Sequence, residues 1–350
     1  MASNRHRRSL NPILLETQPL FVSSDLSTLG LPVLPRTVPA ESPRKTSGRA
    51  RRIVAVGGGK GGVGKSLISA SLAICLARRG KRVVVVDADL GGANVHTALG
   101  LSSPELTMAD FIQRRVKSIE DVIVPTGVEN LGLISGAHNY LSASNMKYQQ
   151  KMRLLNQVRT IDADYLLLDL GAGISFNIVD FFLLADTGLL VVVPEPSSIE
   201  NAYRFLKMSF YRNLRGAAGA DARRLIDHAM DQKNLHGIRS PFDILDAVER
   251  LDPEAGRRLK ERASALRPTL VINQIRYPDD ERLGPSMASV CRKHLGVDLD
   301  VLGSVAYDDG VWQANRRKRA FVTVNPDSPA ADAIDRVAVR LVALHEDGAR

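Results

Sequence analysis

Residues 53–79 read IVAVGGGKGGVGKSLISASLAICLARR, and this stretch decides the fold. Ile53–Val56 is apolar and mostly β-branched, which is strand composition. Ser66–Arg79 reads as an amphipathic helix. Between them, Gly59-Lys-Gly-Gly-Val-Gly64-Lys65-Ser66 fits G-x-x-x-x-G-K-[ST]. The order strand, glycine-rich loop, helix is the context a phosphate loop requires. The glycines let the backbone curl so that successive N–H groups face phosphate oxygens, and the helix N-terminus adds positive potential. Lys65 then reaches the β- and γ-phosphates, and the Ser66 hydroxyl ligates Mg²⁺.

Outward from the loop, short apolar runs alternate with helical stretches. Strands are expected at Ile53–Val56, Val83–Asp87, Val122–Val124, Leu131–Ile134, Tyr165–Asp169, Leu189–Val193, Leu270–Asn273 and Val301–Val305. Helices are expected at Ser66–Arg79, Lys147–Val158, Ile199–Leu214 and Ser328–His345. Such alternation implies parallel strands joined by right-handed crossovers, and the strands' continuous apolar character implies that both faces are covered. The fold class is therefore α/β, a doubly wound and mainly parallel sheet, with ligands at the carboxyl ends of its strands. The connection from Pro194 to Thr269 is far longer than a crossover needs. Its extra part, about 216–267, reads as a helical insertion. Ser240-Pro241 and Asp252-Pro253 are helix-start signals, and Phe242, Leu245, Val248 and Leu251 form a stripe at helical spacing.

Of the 350 residues, 44% are hydrophobic and 24% charged, which is globular usage and excludes a wholly disordered or fibrous chain. The net charge of +9 is unevenly placed. Residues 1–52 hold nine basic and three acidic side chains, leaving +3 for the other 298. They also hold six of the 17 prolines. A disordered, basic, Pro-rich arm is expected over 1–52, with the ATPase domain filling 53–350. No apolar run is long enough for an export signal or a membrane span. Cys75 and Cys291 are far apart and form no C-x-x-C pair, so a disulfide scaffold and a zinc ribbon are excluded and a cytoplasmic setting is expected.

Two further segments end apolar runs in carboxylates: Val83-Val-Val-Val-Asp87-Ala-Asp89, leading to Asn94, and Leu166-Leu-Leu-Asp169-Leu-Gly171-Ala-Gly173-Ile. Lys60 is a second lysine inside the loop, which one nucleotide held within one subunit does not need. Together, G-K-G-G-V-G-K-S, D-x-D and the apolar run to Asp169 resemble the deviant Walker A loop ATPases of the MinD/ParA family. The D-x-G-A-G-I segment is similar to the branch that regulates flagellar number and placement (FlhG/FleN-like). The resemblance covers about 53–214 and 268–345. It implies that Lys60 crosses a two-fold interface to the other subunit's ATP and that Asp89 orients the attacking water. By the same resemblance Asp87 arranges the Mg²⁺ water shell, with Asn94 a weaker carry-over. It also implies that Asp169 holds Mg²⁺, the Gly171 N–H nears the γ-phosphate and Asn273 reads the adenine edge. The expected catalytic set is Lys60, Lys65 and Asp89. The nucleotide set is Gly59, Lys60, Gly61, Gly62, Val63, Gly64, Lys65, Ser66, Leu67, Gly171 and Asn273, and the metal set is Ser66, Asp87 and Asp169.

The function this implies is a switch that binds and hydrolyses ATP with Mg²⁺, dimerises with ATP, and turns over slowly without a stimulating protein partner. It would control the position or number of a division site, a chromosome or plasmid, or a flagellum, with recruitment to nucleoid, pole or inner membrane surface. The last helix carries few basic residues, which argues against membrane attachment. Arg316-Arg317-Lys318-Arg319 is the densest basic cluster outside the arm and suggests weak nonspecific DNA binding, with Trp312 read as a packing residue. An iron–sulfur carrier would need cluster cysteines, and a tyrosine autokinase would need a tyrosine cluster after Tyr307. The remaining alternative is an ATP-dependent ligase or amidotransferase, whose second substrate pocket could only be the 216–267 insertion.

Overall fold

The computed structural model describes residues 52–89, 92–136, 148–230 and 241–347. All fall within the unit running from Arg44 to Arg350. The expected arm, apart from Arg52, and the helix-start signal at Ser240 lie outside the described residues.

Eight strands form one sheet: β1 (Arg52–Gly57), β2 (Val83–Asp87), β3 (Val124–Pro125), β4 (Leu131–Ile134), β5 (Tyr165–Asp169), β6 (Thr187–Val192), β7 (Thr269–Ile275) and β8 (Asp300–Ala306). Their order is β3-β4-β2-β5-β1-β6-β7-β8. Every pairing is parallel except β3 with β4. β1 lies between β5 and β6, so its phosphate loop opens at the centre of the sheet's carboxyl edge. The expected third strand is shorter than its sequence suggested. Val122 closes a 3₁₀ turn in which Ser118 accepts from the Glu120 N–H, and Pro125, lacking an N–H, ends the strand after two residues.

The helices, in chain order, are α1 (Lys65–Arg78), α2 (Val95–Ala98), α3 (Met108–Ile112), α4 (Tyr148–Val158), α5 (Phe176–Leu184), α6 (Pro196–Ala217), α7 (Ala220–Met230), α8 (Asp243–Leu251), α9 (Pro253–Ser264), α10 (Leu283–Leu295), α11 (Asp309–Arg316), α12 (Phe321–Val324) and α13 (Pro329–Asp347). They cover both faces of the sheet. Along β1, Ile53 and Ala55 turn to a core completed by Phe181 and Phe182 of α5 and Phe205 and Phe210 of α6. Val54 and Val56 turn to the other core, with Leu72 and Leu76 of α1 and Ile334, Val337 and Leu341 of α13. Every one of these side chains leaves water, at about 1.5–3 kcal/mol of hydrophobic stabilisation for each large one. The first helix is not the amphipathic one its sequence suggested: α1 is buried nearly all round because the sheet lies on one side of it and α13 on another. α13 buries its own apolar face in the same core, and Arg52 donates to the His345 carbonyl at 2.7 Å to tie its end to β1.

The described part of the insertion is helical, and its α7 and α9 pack on α6. Ile244, Leu245 and Val248 of α8 and Leu259 and Ala263 of α9 join the core of Phe210 and Leu214. Asp252 caps α9 as its sequence suggested, accepting from the Glu254 and Ala255 N–H groups. The buried stripe of α8 differs from the expected one: Ile244 replaces Phe242 in it, and Leu251 is 71% exposed. α8 ends at Leu251, and the extended Asp252 turns the chain directly into α9. Among the described residues no helix is long and apolar enough to cross a membrane.

Candidate functional site

β1 delivers the chain to the carboxyl edge of the sheet, and the loop from Gly58 to Gly64 turns it back into α1. Gly64 has φ 93°, a conformation that favours glycine, and an added Cβ would lie 2.2 Å from the Asn273 amide nitrogen. Val63 is buried and anchors the loop beneath its exposed crest at Gly61 and Gly62. Gly59 packs against the Asn201 backbone of α6, and Leu67 packs against the α1 core.

Beside the loop the sheet brings carboxylates together by register. Asp87 and Asp169 end neighbouring parallel strands as direct partners, and Val56 lies opposite Asp169 on the other side. The Asp169 carboxylate accepts from Ser66 at 2.6 Å and from Ser69 at 2.7 Å. Asp87 accepts the backbone N–H groups of Asp89 and Val95, so it also fixes the start of α2. Burial, with the charge of Asp169 beside it, pushes the Asp87 carboxyl up to about 7. Burial pushes Asp169 up to about 6, against the two serine hydroxyls and Lys65. The Asp89 carboxylate rests over Gly171, where a Cβ would meet its carbon at 3.1 Å. Asn94 turns its amide to the Gly92 carbonyl, 2.6 Å away.

Lys65 is buried, and its ammonium donates to the Lys60 carbonyl at 3.2 Å. Burial lowers its pKa, while Asp169 and Asp89 oppose that shift. Lys60 is directed elsewhere: its ammonium lies 2.5 Å from Glu195 and 2.9 Å from the Ser197 hydroxyl, at the start of α6. Asn273 is buried and donates to the Val63 carbonyl at 2.9 Å, so it steadies the loop.

A cavity of about 620 Å³ opens over this arrangement, with Gly64, Lys65, Ser66, Asp89 and Asn273 in its wall. Its far end is lined from β8 and α11, including Tyr307 and Trp312. The donors near its floor are hydroxyl and carboxylate oxygens, the set a hard divalent cation takes. Among the described residues no three His, Cys, Asp or Glu side chains form a metal cage of their own. Mg²⁺ held through one hydroxyl, phosphate oxygens and water does not require one.

The structure thus brings Lys65, Ser66, Asp87, Asp89, Asp169, Gly171 and Asn273 to one end of the sheet and turns Lys60 toward α6. Over 292 residues the chain is 31% identical to the antiactivator FleN of Pseudomonas aeruginosa, spanning 83% of this chain and 86% of that protein. The chain belongs to the ParA/MinD family of P-loop NTPases. The ParA family, described as NUBPL iron-transfer P-loop NTPase, matches residues 49–215. The septum site-determining protein MinD of Helicobacter pylori is 32% identical over 49% of this chain and 64% of its own length. The fold matches that of MinD from Pyrococcus horikoshii, solved in complex with Mg-ADP, with a TM-score of 0.57 at 21% identity over 83% of this chain and 95% of that one.

Five residues of this ParA/MinD site were missed or misplaced in the sequence. Ser69 lies one helical turn after Ser66, and the i, i+3 spacing from an expected ligand was a usable signal. Glu195 and Ser197 stand about 135 positions from the lysine they hold, and nothing local marks that contact. Gln274 donates to the Gly62 carbonyl at 3.4 Å from a backbone at φ 59°. Trp312 had been read as a packing residue, yet it is 62% exposed at the cavity wall.

Proposed function

We propose that the chain is an ATP-hydrolysing switch that dimerises with ATP and Mg²⁺ and controls the position or number of a cellular structure. The observation that carries this reading is the pairing of two lysines in one phosphate loop. Lys65 is buried against the carboxylates, whereas Lys60 is about one-third exposed and held only by its own Glu195 and Ser197. Lys65 and the loop N–H groups bind the β- and γ-phosphates, and Asn273 shifts from Val63 to the adenine edge. Asp89 orients the water, the Gly171 N–H faces the γ-phosphate, and Ser66 and Asp169 hold the metal, with Asp87 ordering its water shell. Mg²⁺ supplies charge neutralisation at the transferred phosphoryl group. Lys60 leaves Glu195 and contacts the nucleotide of the second subunit. The H. pylori relative is a septum site-determining protein and the P. aeruginosa relative an antiactivator, which supports a regulatory output over a metabolic one.

Other readings fit less well. Both cysteines are buried, with burial pushing Cys75 up to about 12 and Cys291 to about 11. Such thiols are poor metal ligands, which disfavours iron transfer. A ligase needs an acceptor pocket beside the phosphates. The cavity under the insertion, lined by Asn213, Arg262 and Arg267, is only about 150 Å³ and lies at the amino end of the strands, beside Asp186, Gly188 and Pro268.

Size-exclusion chromatography with ATP tests the switch. The parent protein should dimerise, and Lys60→Ala should bind ATP yet stay monomeric. Dimerisation of Lys60→Ala like the parent would remove the role of Lys60 across the interface. The surface used by the dimer is proposed to include Arg316, Arg317, Lys318 and Arg319, all exposed at the end of α11 and just after it. Three or four phosphates neutralised there give a slope of roughly −3 for log K against log salt on nonspecific DNA. Binding that ignores Arg316→Ala, Arg317→Ala and Arg319→Ala together would leave a protein partner as the target.

A further inference from the structure

Trp312 is the only tryptophan of the chain. It sits on α11 and is 62% exposed, although it follows the partly buried Val311 and stands two residues before the buried Ala314. An indole left this open costs hydrophobic stabilisation that burial would supply. Its position gives a reason. It stands in the wall of the 620 Å³ cavity, at the end away from the phosphate loop, where Val305, Val311, Phe321 and Ile334 make the lining apolar. The phosphate end of the same cavity is polar and charged, with Lys65, Ser66 and Asp89. A ligand with a triphosphate at one end and a flat apolar ring at the other matches that gradient.

The position of α11 is itself constrained. The Tyr307 N–H donates to the Ile275 carbonyl at 2.9 Å, joining the end of β8 to the end of β7. The Tyr307 hydroxyl donates to Asp309 at 2.9 Å, and the Arg276 guanidinium lies 3.6 Å from its ring centre. Asp308 caps the helix by accepting the Gly310 N–H at 2.7 Å. These contacts hold the first turn of α11 at the cavity mouth. Arg316, one turn after Trp312, lies 5.3 Å from the indole centre and occupies one side of the ring, leaving a second side for another planar group.

We propose that Trp312 is a base-binding residue that stacks on the purine ring of the bound nucleotide and closes the base end of the cavity. This rests on the ATP-switch reading above. The indole face meets the base face, as sequence-tolerant aromatic–base stacking does elsewhere, while Asn273 meets the base edge.

The test uses the full chain, with MgATP and Mg-tripolyphosphate as probes, the second having the phosphates and no base. Adding ATP to the parent should change the emission of its single tryptophan, and tripolyphosphate should not. Trp312→Ala should weaken ATP binding about tenfold and leave tripolyphosphate binding unchanged, while Trp312→Phe stays within about threefold of the parent. Equal losses for both probes would mean that the residue only supports the fold, and would overturn the proposal. So would ATP binding by Trp312→Ala that matches the parent. A parent that binds tripolyphosphate but gains nothing from the base would overturn it too. A parent that binds neither probe removes the ATP-switch reading first, and this inference with it.

Discussion

Asp169 and Asp180 are both carboxylates drawn into the protein, and the chain surrounds them in opposite ways. Asp180, on α5, receives Lys151 of α4 at 2.6 Å and Arg212 of α6 at 2.8 Å. Burial alone would raise its pKa, but the hydrogen bonds from Arg212 and Lys151 outweigh it and hold the carboxyl below its ordinary range. Asp169 is more deeply buried and has two neutral hydroxyls, one lysine and a second carboxylate beside it. Its pKa moves up. One cluster is electrically closed and clamps three helices; the other retains excess negative charge at the mouth of a phosphate loop. A closed cluster contributes to stability. An open one is what a site that takes a cation with its nucleotide presents before loading.

The largest expected effect lies at the open cluster. Lys65→Ala should abolish measurable ATP turnover. Asp89→Ala should retain ATP while losing about 100-fold or more in kcat, because the binding groups remain and only the water loses its orienting group. A phosphate-release assay paired with nucleotide retention on a filter separates the two. Loss of ATP binding in Asp89→Ala would show that this carboxylate supports the loop instead.

The closed cluster should respond in stability. Asp180→Ala leaves Lys151, with only 9% of its side chain exposed, without its carboxylate. A loss of about 2–3 kcal/mol is expected, discounted from a fully buried pair because Arg212 is partly solvated. Thermal unfolding reads it, and ATP affinity should move less than about threefold. A large drop in affinity at unchanged stability would mean that Asp180 belongs functionally to the nucleotide site.

Asp169→Asn sharpens the contrast through pH. The folded pKa of about 6 lies above the ordinary carboxyl value of 3.8, so the folded state holds its proton longer than the unfolded one. Stability of the nucleotide-free and Mg²⁺-free protein therefore falls as pH rises from about 4 to about 6, and stays lower above that. Removing the charge should flatten that fall and raise stability at pH 8 by about 1–3 kcal/mol, at about 1.4 kcal/mol per unit. Turnover should be lost in the same variant. Denaturant melts at pH 4.5 and pH 8 check the sign. A variant less stable than the parent at pH 8 would mean that the serine hydrogen bonds outweigh the charge.

Much of this was legible in the sequence, for a physical reason. Strands buried on both faces must be apolar runs, and a polar residue that closes such a run marks where the strand reaches the sheet's carboxyl edge. Val83–Asp87 and Tyr165–Asp169 therefore announced both their boundaries and their aspartates. The glycine pattern announced the loop because few other residues tolerate that backbone. What stayed hidden depends on tertiary contact. The rotation of α8, which buries Ile244 and exposes Leu251, is set by its packing against α7 and α9. Trp312 carries no local mark that distinguishes a core indole from one facing a cavity. Glu195 sat in view beside two prolines, but its partner across the sheet could not be read from spacing.

That partner gives the smallest expected effect. In the proposed dimer Lys60 would have to leave Glu195 to serve a second subunit, so their ion pair, 2.5 Å long, would oppose dimerisation by whatever it is worth. Both side chains are partly in water, 34% and 57% exposed, and pairs of that kind contribute about 0–1 kcal/mol. Glu195→Gln keeps the shape, weakens the attraction, and should lower the ATP concentration at half-dimerisation by about two- to fivefold, less so at high salt. Ser197→Ala should shift it less, since Lys60 would keep its charged partner. Light scattering across an ATP titration measures both variants. A midpoint that rises in Glu195→Gln would reverse the assignment: Glu195 would then be positioning Lys60 for the interface, and the contact seen in the single subunit would be preparation for the dimer.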